Sequence, residues 1–412
     1  MAPALAFHAD AVVTGDAGIF RDGAVVVDDG GRVLAVGPAG VVLPLHTGAR
    51  LERVRGVVFP GLVNAHTHVE LSALRGQVRG GRGFVPWAED LIGSRAELAP
   101  EDEGVAIERA ADELVSFGTA GVGDVSNSLG AVHALARRGI GGAVFHEVFG
   151  LGRDPTVARV AALARERDEK VGRWPSSDLS YAPAPHTLYT THPDAVRALL
   201  ALARSLGART TLHLAEHAGE RRALEQADGP VVEWLERRVR PSSFPWPRRS
   251  PFAHADALGG LAADVILVHL TDARPDEIAR VIERDAPIVL CPRSNLFIDV
   301  RLPPLLAMRE AGARVALGTD SLASNASLDV LAEARALLDR FPTVPARELV
   351  AMATWNGALA LGRSDLGRLA VGARPGIVAV LGESGEDPCA FLLRDLRAPR
   401  RWLVRRHPGE AS

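Results

Sequence analysis

The sequence has very little lysine and cysteine. Lys170 is the only lysine in its 412 residues, so almost every basic residue is an arginine. The two cysteines, Cys291 and Cys389, lack the close spacing of metal-binding pairs and are too few for a disulfide framework. The N-terminal residues also lack the basic and apolar segments of a signal peptide. These absences favour a protein of the reducing cytoplasm.

The chain has no excess of charge of either sign and no long hydrophobic run. Its 47 Lys and Arg residues are balanced by 50 Asp and Glu residues, so nothing predicts a nucleic-acid partner. The most apolar stretch, between Leu258 and Leu270, contains Asp264 and His269 and is shorter than the roughly 18 apolar residues of a membrane-spanning helix. We expect no nucleic-acid partner, no membrane partner, and a small molecule as the substrate.

Short apolar runs alternate with segments of helical periodicity from residue 57 onward. This alternation is typical of βα units around a parallel sheet that is buried on both faces. Eight runs with eight crossovers predict an α/β fold, a (β/α)8 TIM barrel over residues 57–366. The predicted strands are Gly56–His66, Gly118–Val125, Gly141–Phe149, Asp178–Pro185, Ala208–Glu216, Asp264–His269, Ala286–Cys291 and Ala313–Asp320.

The two ends of the chain have a different sequence pattern from the predicted barrel. Residues 1–56 consist of apolar runs separated by Asp-Gly and Gly-Gly turns, and residues 367–412 return to this pattern. We therefore expect both termini to form one small β-sandwich domain beside the barrel. The connection from Ala218 to Ala263 is longer than one crossover requires, and its apolar stretch from Phe244 to Phe252 is a candidate for a lid or a homodimer contact.

Metal-binding side chains stand at the ends of four predicted barrel strands. His66 and His68 follow the first strand, His213 the fifth, His269 the sixth and Asp320 the eighth. The C-terminal strand ends of such a barrel meet at one mouth, where active sites lie. Because side chains of an extended chain alternate, His66 and His68 point to the same side and can bind one cation. The pattern predicts a metal site.

Five segments around these residues resemble the amidohydrolase superfamily, in its cytosine deaminase-like and chlorohydrolase branch. The segments are FPGLVNAHTHVELSALRG, LHLAEHAGE, VHLTDARPDEI, CPRSNLFI and VALGTDSLASNASLDVLAEAR. The resemblance spans nearly the whole chain. It implies catalytic roles for Glu216 and His269 beside a metal. It implies that the metal ligands are His66, His68, His213 and Asp320.

The predicted chemistry is hydrolysis by a metal-activated hydroxide. A cation held by three imidazoles and one carboxylate keeps a position for water and can lower the pKa of that water from 15.7 to about 7. One divalent metal ion is expected, with zinc favoured and iron as the other candidate. The expected substrate is a heteroaromatic ring that loses an amine as ammonia. Asp320 can accept the proton of the water, and His269 can hydrogen-bond to the attacking oxygen. Glu216 can carry protons to a nitrogen of the substrate ring and to the departing ammonia.

The expectation of one metal comes from the lysine count. Members of the resembling family with two metals carry a carboxylated lysine at the end of strand four, and the fourth predicted strand here has none. Lys170 lies upstream of that strand in a charged segment, where a solvated surface residue is expected.

Three further residues are candidates for substrate binding. Glu147 ends the third predicted strand, and His186 resembles a substrate-contacting histidine after strand four of adenosine-type deaminases. The alternatives are that Glu147 supports a metal ligand and that His186 only caps the following turn. Glu70, two residues after His68, either orients a ligand or binds substrate.

The resemblance favours aminodeoxyfutalosine, an N6-amino purine nucleoside derivative of menaquinone biosynthesis, as the substrate. It depends on the segments HTHVELS, EVFG and HLAEH and on the long connection before strand six. Deaminases of guanine, adenosine or S-adenosylhomocysteine, and triazine chlorohydrolases, share the metal machinery and stay open as alternatives. A catalytically silent barrel that serves as an interaction scaffold is a remote alternative, against which the complete set of metal-binding residues argues.

Overall fold

The computed structural model of the protein describes residues 4–239 and 244–406. Within these ranges fourteen strands form three sheets. The strands are β1 (Leu5–Val13), β2 (Ile19–Val27), β3 (Val33–Pro38), β4 (Arg50–Pro60), β5 (Leu62–Thr67), β6 (Thr119–Ser126), β7 (Gly141–Val148), β8 (Leu179–Pro185), β9 (Thr210–Leu214), β10 (Val265–His269), β11 (Ile288–Leu290), β12 (Val315–Leu317), β13 (Ile377–Leu381) and β14 (Arg400–Val404).

Helices fill the connections between the strands. Several begin with a proline in their first turn, where the missing backbone N–H is not needed for a helical hydrogen bond. The helices are α1 (Ala39–Val42), α2 (Phe84–Ala96), α3 (Pro100–Ser116), α4 (Val132–Arg137), α5 (Arg153–Val171), α6 (Pro193–Ser205), α7 (Ala218–Gln226), α8 (Pro230–Val239), α9 (Pro251–Ala257), α10 (Pro275–Glu283), α11 (Pro292–Asp299), α12 (Leu305–Glu310), α13 (Val330–Arg340), α14 (Ala346–Met352), α15 (Trp355–Ala360) and α16 (Pro388–Arg394), with 3₁₀ turns at Leu43–His46 and Val69–Leu74.

Eight parallel strands form the barrel in two halves. One half has the strand order β5-β6-β7-β8 and the other β12-β11-β10-β9. At one seam the backbone N–H of Asp320 donates to the carbonyl of His66 at 3.1 Å, and at the other the N–H of His213 donates to the carbonyl of His186 at 3.1 Å. The predicted barrel is confirmed, and both seams run through residues of the predicted site.

Burial explains why the barrel strands read as continuous apolar runs. Every residue of β6 and β7 is buried, because helices cover the outer face of the sheet and side chains fill the inner face. Apart from Thr119 at the start of β6, the polar residues of these strands stand close to their C-terminal ends, as Asp124 and Glu147 do. The few polar groups are thereby gathered at the mouth of the barrel.

The two termini join in one mixed sheet with the strand order β14-β13-β4-β1-β2-β3. Side chains from all six strands share one apolar cluster, and a Cβ on Gly31, beside β3, would lie 3.0 Å from Val404 of β14. The sheet therefore curls until its two edges approach each other. The predicted domain of both termini is confirmed, but its sandwich-like interior comes from one curled sheet rather than from two separate sheets.

The predicted boundaries 1–56, 57–366 and 367–412 stay predictions. Strand β4 crosses the first of them, since it pairs with β1 and β13 of the terminal sheet and ends at Pro60. Residues 1–3 and 407–412 of the outer segments lie outside the described ranges.

The long connection between β9 and β10 folds as α7, α8 and α9. Phe244 and Phe252 are buried in the main apolar cluster of the molecule, with 6% and 1% of their surfaces exposed. The prediction that the stretch from Phe244 to Phe252 offers an exposed lid or dimer surface is therefore wrong for these two side chains, because the core itself absorbs them. Residues 240–243 of this connection lie outside the described ranges.

None of the helices in the described ranges combines the length and the apolar character that crossing a bilayer would require.

Candidate active site

Three histidines from two strand ends direct ring nitrogens to one point. The ligand atoms of His66, His68 and His213 lie within 4.8 Å of one another. Oδ1 of Asp320 lies 3.7 Å from Nε2 of His66 and 3.5 Å from Nε2 of His68. The seam between β5 and the residues after β12 creates this proximity, since it pairs Thr67 with Asp320. Three imidazoles and one carboxylate around one point form a ligand set that suits a tetrahedral metal ion.

The state of these groups also fits a cation. Nε2 of His66 is buried and has no hydrogen-bond partner within the described part of the chain. Burial lowers the pKa of His66, and it lowers the pKa of His213 well below the usual value. Both rings are therefore neutral imidazoles, the form that binds metals. A buried nitrogen without a partner is costly unless something supplies a bond to it, and a metal ion would do so.

His213 is held in the orientation that a ligand needs. Its Nδ1 donates to the backbone carbonyl of His186 at 3.1 Å. In a neutral ring the other nitrogen, Nε2, then carries a lone pair. That nitrogen lies 3.3 Å from Nε2 of His68, on the side of the candidate metal site.

Asp320 is held from the side opposite the histidines. Its Oδ2 accepts hydrogen bonds from Ser294 Oγ at 2.6 Å and from Ser324 Oγ at 3.0 Å. These two donors leave Oδ1 to face His66 and His68. Gly318 makes the close approach possible, because a Cβ there would lie 2.6 Å from both Cβ and the carbonyl oxygen of His66.

Glu216 and His269 face each other next to the histidines. Oε1 of Glu216 lies 3.7 Å from Nε2 of His269, and the His269 ring stacks on His213 with centroids 5.5 Å apart. Burial, followed by the charge of Asp320, raises the pKa of Glu216 well above its usual value. Burial also lowers the pKa of His269 to about 3. At neutral pH the pair therefore consists of a carboxylic acid and a neutral imidazole.

The backbone at these strand ends is strained. Ala215, His269, Leu270 and Asp320 all have positive φ values, between 50° and 78°. Non-glycine residues rarely adopt this region, and such strain persists where the surroundings hold it. Here it turns the chain abruptly after β9, β10 and β12 and aims Glu216, His269 and Asp320 at the mouth.

Glu147 and His186 lie against His213 on the side away from Asp320. Oε1 of Glu147 is 3.6 Å from Nδ1 of His213 and has no hydrogen-bond partner among the residues described. Nδ1 of His186 bonds to Thr190 Oγ1 at 2.7 Å, so this histidine does engage the following turn, yet its ring is only 5.1 Å from that of His213. Both predicted substrate contacts therefore stand at the edge of the candidate metal site, and the alternatives of ligand support and turn capping are compatible with the same contacts.

Comparison with known proteins agrees with this arrangement. Residues 57–397 match the amidohydrolase family. The chain belongs to that family. One relative of this amidohydrolase is the 5-methylthioadenosine/S-adenosylhomocysteine deaminase of Halobacterium salinarum, 35% identical over 376 residues, which cover 87% of this chain and 80% of that protein. Another is the aminodeoxyfutalosine deaminase of Deinococcus radiodurans, 33% identical over 363 residues, which cover 86% and 84%. The prediction of a hydrolytic deaminase in this family is confirmed.

A solved structure confirms the fold. The aminofutalosine deaminase of Helicobacter pylori in complex with methylthio-coformycin superposes on this amidohydrolase with a TM-score of 0.87. The superposition covers 99% of this chain and 100% of that one at 22% sequence identity. The barrel and the attached sheet of both termini are thus shared.

Glu70 bonds to the loop after β6 and to Arg95. Its Oε2 accepts hydrogen bonds from Ser126, Asn127 and Ser128, and its Oε1 accepts one from Arg95. Burial alone would raise the pKa of Glu70, but Arg95 and the serines together lower it. The carboxylate is therefore ionised and fully engaged. The two predicted roles of Glu70, orienting a ligand or binding substrate, stay predictions. Its contact with the loop after β6 could not be predicted from a strand pattern, because the loop comes from a distant part of the chain.

Lys170 lies on the exposed surface, as predicted. It stands in the last turn of α5 and donates to the carbonyl of Asn127 and to Glu166 Oε1, both at 2.7 Å. The exposed side chain thus also bonds to the loop after β6. Asn127 in turn donates to Glu147 Oε2 at 3.2 Å. The lone lysine of this amidohydrolase is not part of the candidate metal cluster.

Sequence reasoning missed the residues that hold the active groups. Ser294 and Asn295, in the first turn of α11, bond to Asp320 and His269. Asn127 bonds to Glu147. A usable signal did exist. Ser294 and Asn295 come shortly after the seventh barrel strand, β11, and Asn127 comes directly after the second, β6, and polar residues at such strand ends are expected to meet at the mouth.

Proposed function

We propose that this amidohydrolase is a cytoplasmic, mononuclear metal-dependent aminohydrolase that replaces the exocyclic amine of a heteroaromatic ring with oxygen. We further propose aminodeoxyfutalosine, and hence menaquinone biosynthesis, as its substrate and pathway. The observation that carries the reaction type is the meeting of a three-histidine cluster and Asp320 with Glu216 and His269 at one barrel mouth. The Deinococcus radiodurans relative supports the choice of substrate.

The metal would be held by one ligand set. His66, His68, His213 and Asp320 would bind a single divalent cation, and imidazole with carboxylate favours zinc, with iron as the other candidate. Such a cation would lower the pKa of water to about 7 and so would supply hydroxide at neutral pH. A second cation is not proposed, because β8, the fourth barrel strand, has no lysine and the one lysine of the chain lies in α5.

Asp320 and Glu216 carry out the proton transfers, and His269 assists them. Asp320 accepts a proton from the attacking water, and His269 hydrogen-bonds to the attacking oxygen. Glu216, protonated in its buried position, donates a proton to the ring nitrogen beside the attacked carbon and later carries one to the departing ammonia. Glu147 and His186 contact the substrate from the far side of His213.

A second candidate substrate class is 5′-substituted adenosines. The Halobacterium salinarum relative, named for 5-methylthioadenosine and S-adenosylhomocysteine, is 35% identical to this chain and favours it. The two proposals share the reaction type and differ in what the pocket around Glu147 and His186 must accommodate.

An ammonia-release assay on zinc-loaded protein tests the proposal. Aminodeoxyfutalosine, 5-methylthioadenosine, S-adenosylhomocysteine, adenosine and guanine form the panel, and the highest kcat/KM is expected for the first. Glu216→Gln should lower kcat by about 10²–10⁴-fold while about one equivalent of metal stays bound. Persistent activity in Glu216→Gln would remove the proton-transfer role, two tightly bound equivalents would remove the mononuclear assignment, and a silent panel on metal-replete protein would return the scaffold interpretation.

A further inference from the structure

The first turn of α11 reaches two groups of the candidate active site at once. Ser294 Oγ donates to Asp320, and the neighbouring Asn295 places its Nδ2 3.2 Å from Nδ1 of His269. Asn295 and His269 are both buried, with 2% and 1% of their surfaces exposed. The helix lies directly after β11, so its first turn sits at the barrel mouth.

The contact between Asn295 and His269 has a direction. The Nδ2 of an asparagine can only donate, so Nδ1 of His269 must accept and carries no proton. The single ring proton then belongs to Nε2. The Oδ1 of Asn295 has no hydrogen-bond partner in residues 4–239 and 244–406, so the bond to His269 is the one directional contact of this amide.

Nε2 of His269 faces the reacting side of the site. It lies 3.7 Å from Oε1 of Glu216. The rings of His66 and His213 are 5.7 Å and 5.5 Å from the His269 ring. A proton on Nε2 is therefore presented to the space between Glu216 and the metal ligands, whereas a lone pair there would make His269 a proton acceptor.

We infer that Asn295 is a positioning residue that holds His269 in the Nε2–H tautomer, so that His269 donates a hydrogen bond to the attacking oxygen and cannot take its proton. This inference depends on the proposed function for its catalytic consequence. It assigns proton acceptance to Asp320 alone, whose Oδ2 already accepts two serine donors and whose Oδ1 is unoccupied by them. The side-chain amide of Asn295 thus makes His269 the hydrogen-bond donor and leaves Asp320 as the proton acceptor.

The tautomer can be measured without turnover. In zinc-loaded protein with ¹⁵N-labelled histidine, the two ring nitrogens of a neutral imidazole have widely separated chemical shifts, and the signals of His269 are assigned by their loss in His269→Gln. The wild type should show a protonated Nε2 and an unprotonated Nδ1. In Asn295→Asp the side chain is of equal size but can only accept, so the proton should move to Nδ1.

Kinetics on the same samples give the second measurement. Asn295→Asp should lower kcat by about 100-fold, while KM changes by less than about threefold, because the lost interaction belongs to the transition state. Asn356→Asp is the matched control, since Asn356 makes a similar amide donation, to the carbonyl of Val315 at 2.8 Å, outside the candidate site. It should change neither the His269 signals nor kcat.

The outcomes distinguish a failure of the role inferred for Asn295 from a failure of the proposed function. A wild-type His269 that carries its proton on Nδ1, or an Asn295→Asp variant that keeps it on Nε2, would overturn the inference even if the enzyme deaminates its substrate. A wild type with the expected tautomer but no ammonia release on any substrate of the panel would instead overturn the proposed function. Equal kcat in wild type and Asn295→Asp, with the proton moved, would show that the tautomer has no catalytic role and would also overturn the inference.

Discussion

Replacing Ser294 by alanine should weaken metal binding and leave the fold intact. The Ser294 hydroxyl is buried and donates to Oδ2 of Asp320 at 2.6 Å, and Ser324 supplies a second donor at 3.0 Å. A hydrogen bond to a charged group contributes about 1.5–3 kcal/mol, which corresponds to about 10–150-fold in an equilibrium constant. Because Ser324 remains in the variant, the lower end is expected, about tenfold. This agrees with the 10–100-fold effects typical of groups that orient metal ligands.

The assay is competition for zinc between the protein and a chelator of known affinity. Ser294→Ala should raise the Kd for zinc by about tenfold, and the double variant Ser294→Ala/Ser324→Ala by more than about 100-fold, since Oδ2 is then buried without a donor. Ser116→Ala is the control, because the Ser116 hydroxyl donates to a backbone carbonyl on an exposed helix end. If the double variant binds zinc as tightly as the wild type, Asp320 is not held by these serines and the reasoning about the ligand set fails.

Three further predictions concern stability. Gly318→Ala should lower the free energy of unfolding by about 1–3 kcal/mol and disturb zinc binding, because its Cβ would meet His66 at 2.6 Å; thermal melting and zinc titration measure this. Arg221→Met should cost about 3–5 kcal/mol in urea unfolding, because it leaves the buried carboxylate of Glu277, 2.7 Å from the guanidinium, without its partner. Burial lowers the pKa of His146 to about 4. Between pH 6.5 and pH 4, this histidine therefore binds a proton in the unfolded chain but not in the folded chain. His146 should therefore account for a loss of up to about 3 kcal/mol of stability between pH 6.5 and pH 4, and His146→Gln should reduce the fall of the wild type by that amount.

Each of these variants has a matched control. A Cβ on Gly104 would meet nothing within 4 Å, so Gly104→Ala should not lower the melting temperature. Arg222 pairs with Asp228 on the exposed surface, and Arg222→Met should leave unfolding in urea nearly unchanged. His46 is half-buried on a surface turn, and His46→Gln should keep the pH profile of the wild type. A control that behaves like its partner variant would contradict the corresponding prediction.

Much of the barrel was predictable because its strands are buried on both faces. Continuous apolar runs mark such strands, and the predicted and observed elements agree to within a few residues, as at Ala286–Cys291 and the observed Ile288–Leu290. The curled terminal sheet was less predictable, because hairpin signals at Asp-Gly turns reveal strands but do not reveal how far a sheet bends. The burial of Phe244 and Phe252 could not be predicted either, since an apolar segment looks the same whether it meets solvent, a partner or its own core.

The sequence by itself determined which side chains meet at the barrel mouth. Some features can be found directly in the sequence: the spacing of His66 and His68 in one strand, the position of Asp320 after another strand, and the single lysine. Because side chains alternate along a strand, the spacing of His66 and His68 fixes the side to which they point. Only the tertiary structure decided the state of these groups. Burial neutralises His66 and His213, and it protonates Glu216.

Helix α11 shows the physical reason for this division. Ser294 lies 26 residues from Asp320, and Asn295 lies 26 residues from His269, in the opposite direction along the chain. Whether these side chains touch depends on where the helix is placed over the mouth, and that placement follows from packing of the whole barrel. Hydrogen bonds of this kind orient a ligand, set a tautomer and shift a pKa. The chemistry of each group is therefore a property of the folded molecule, even where the sequence already identifies the residue.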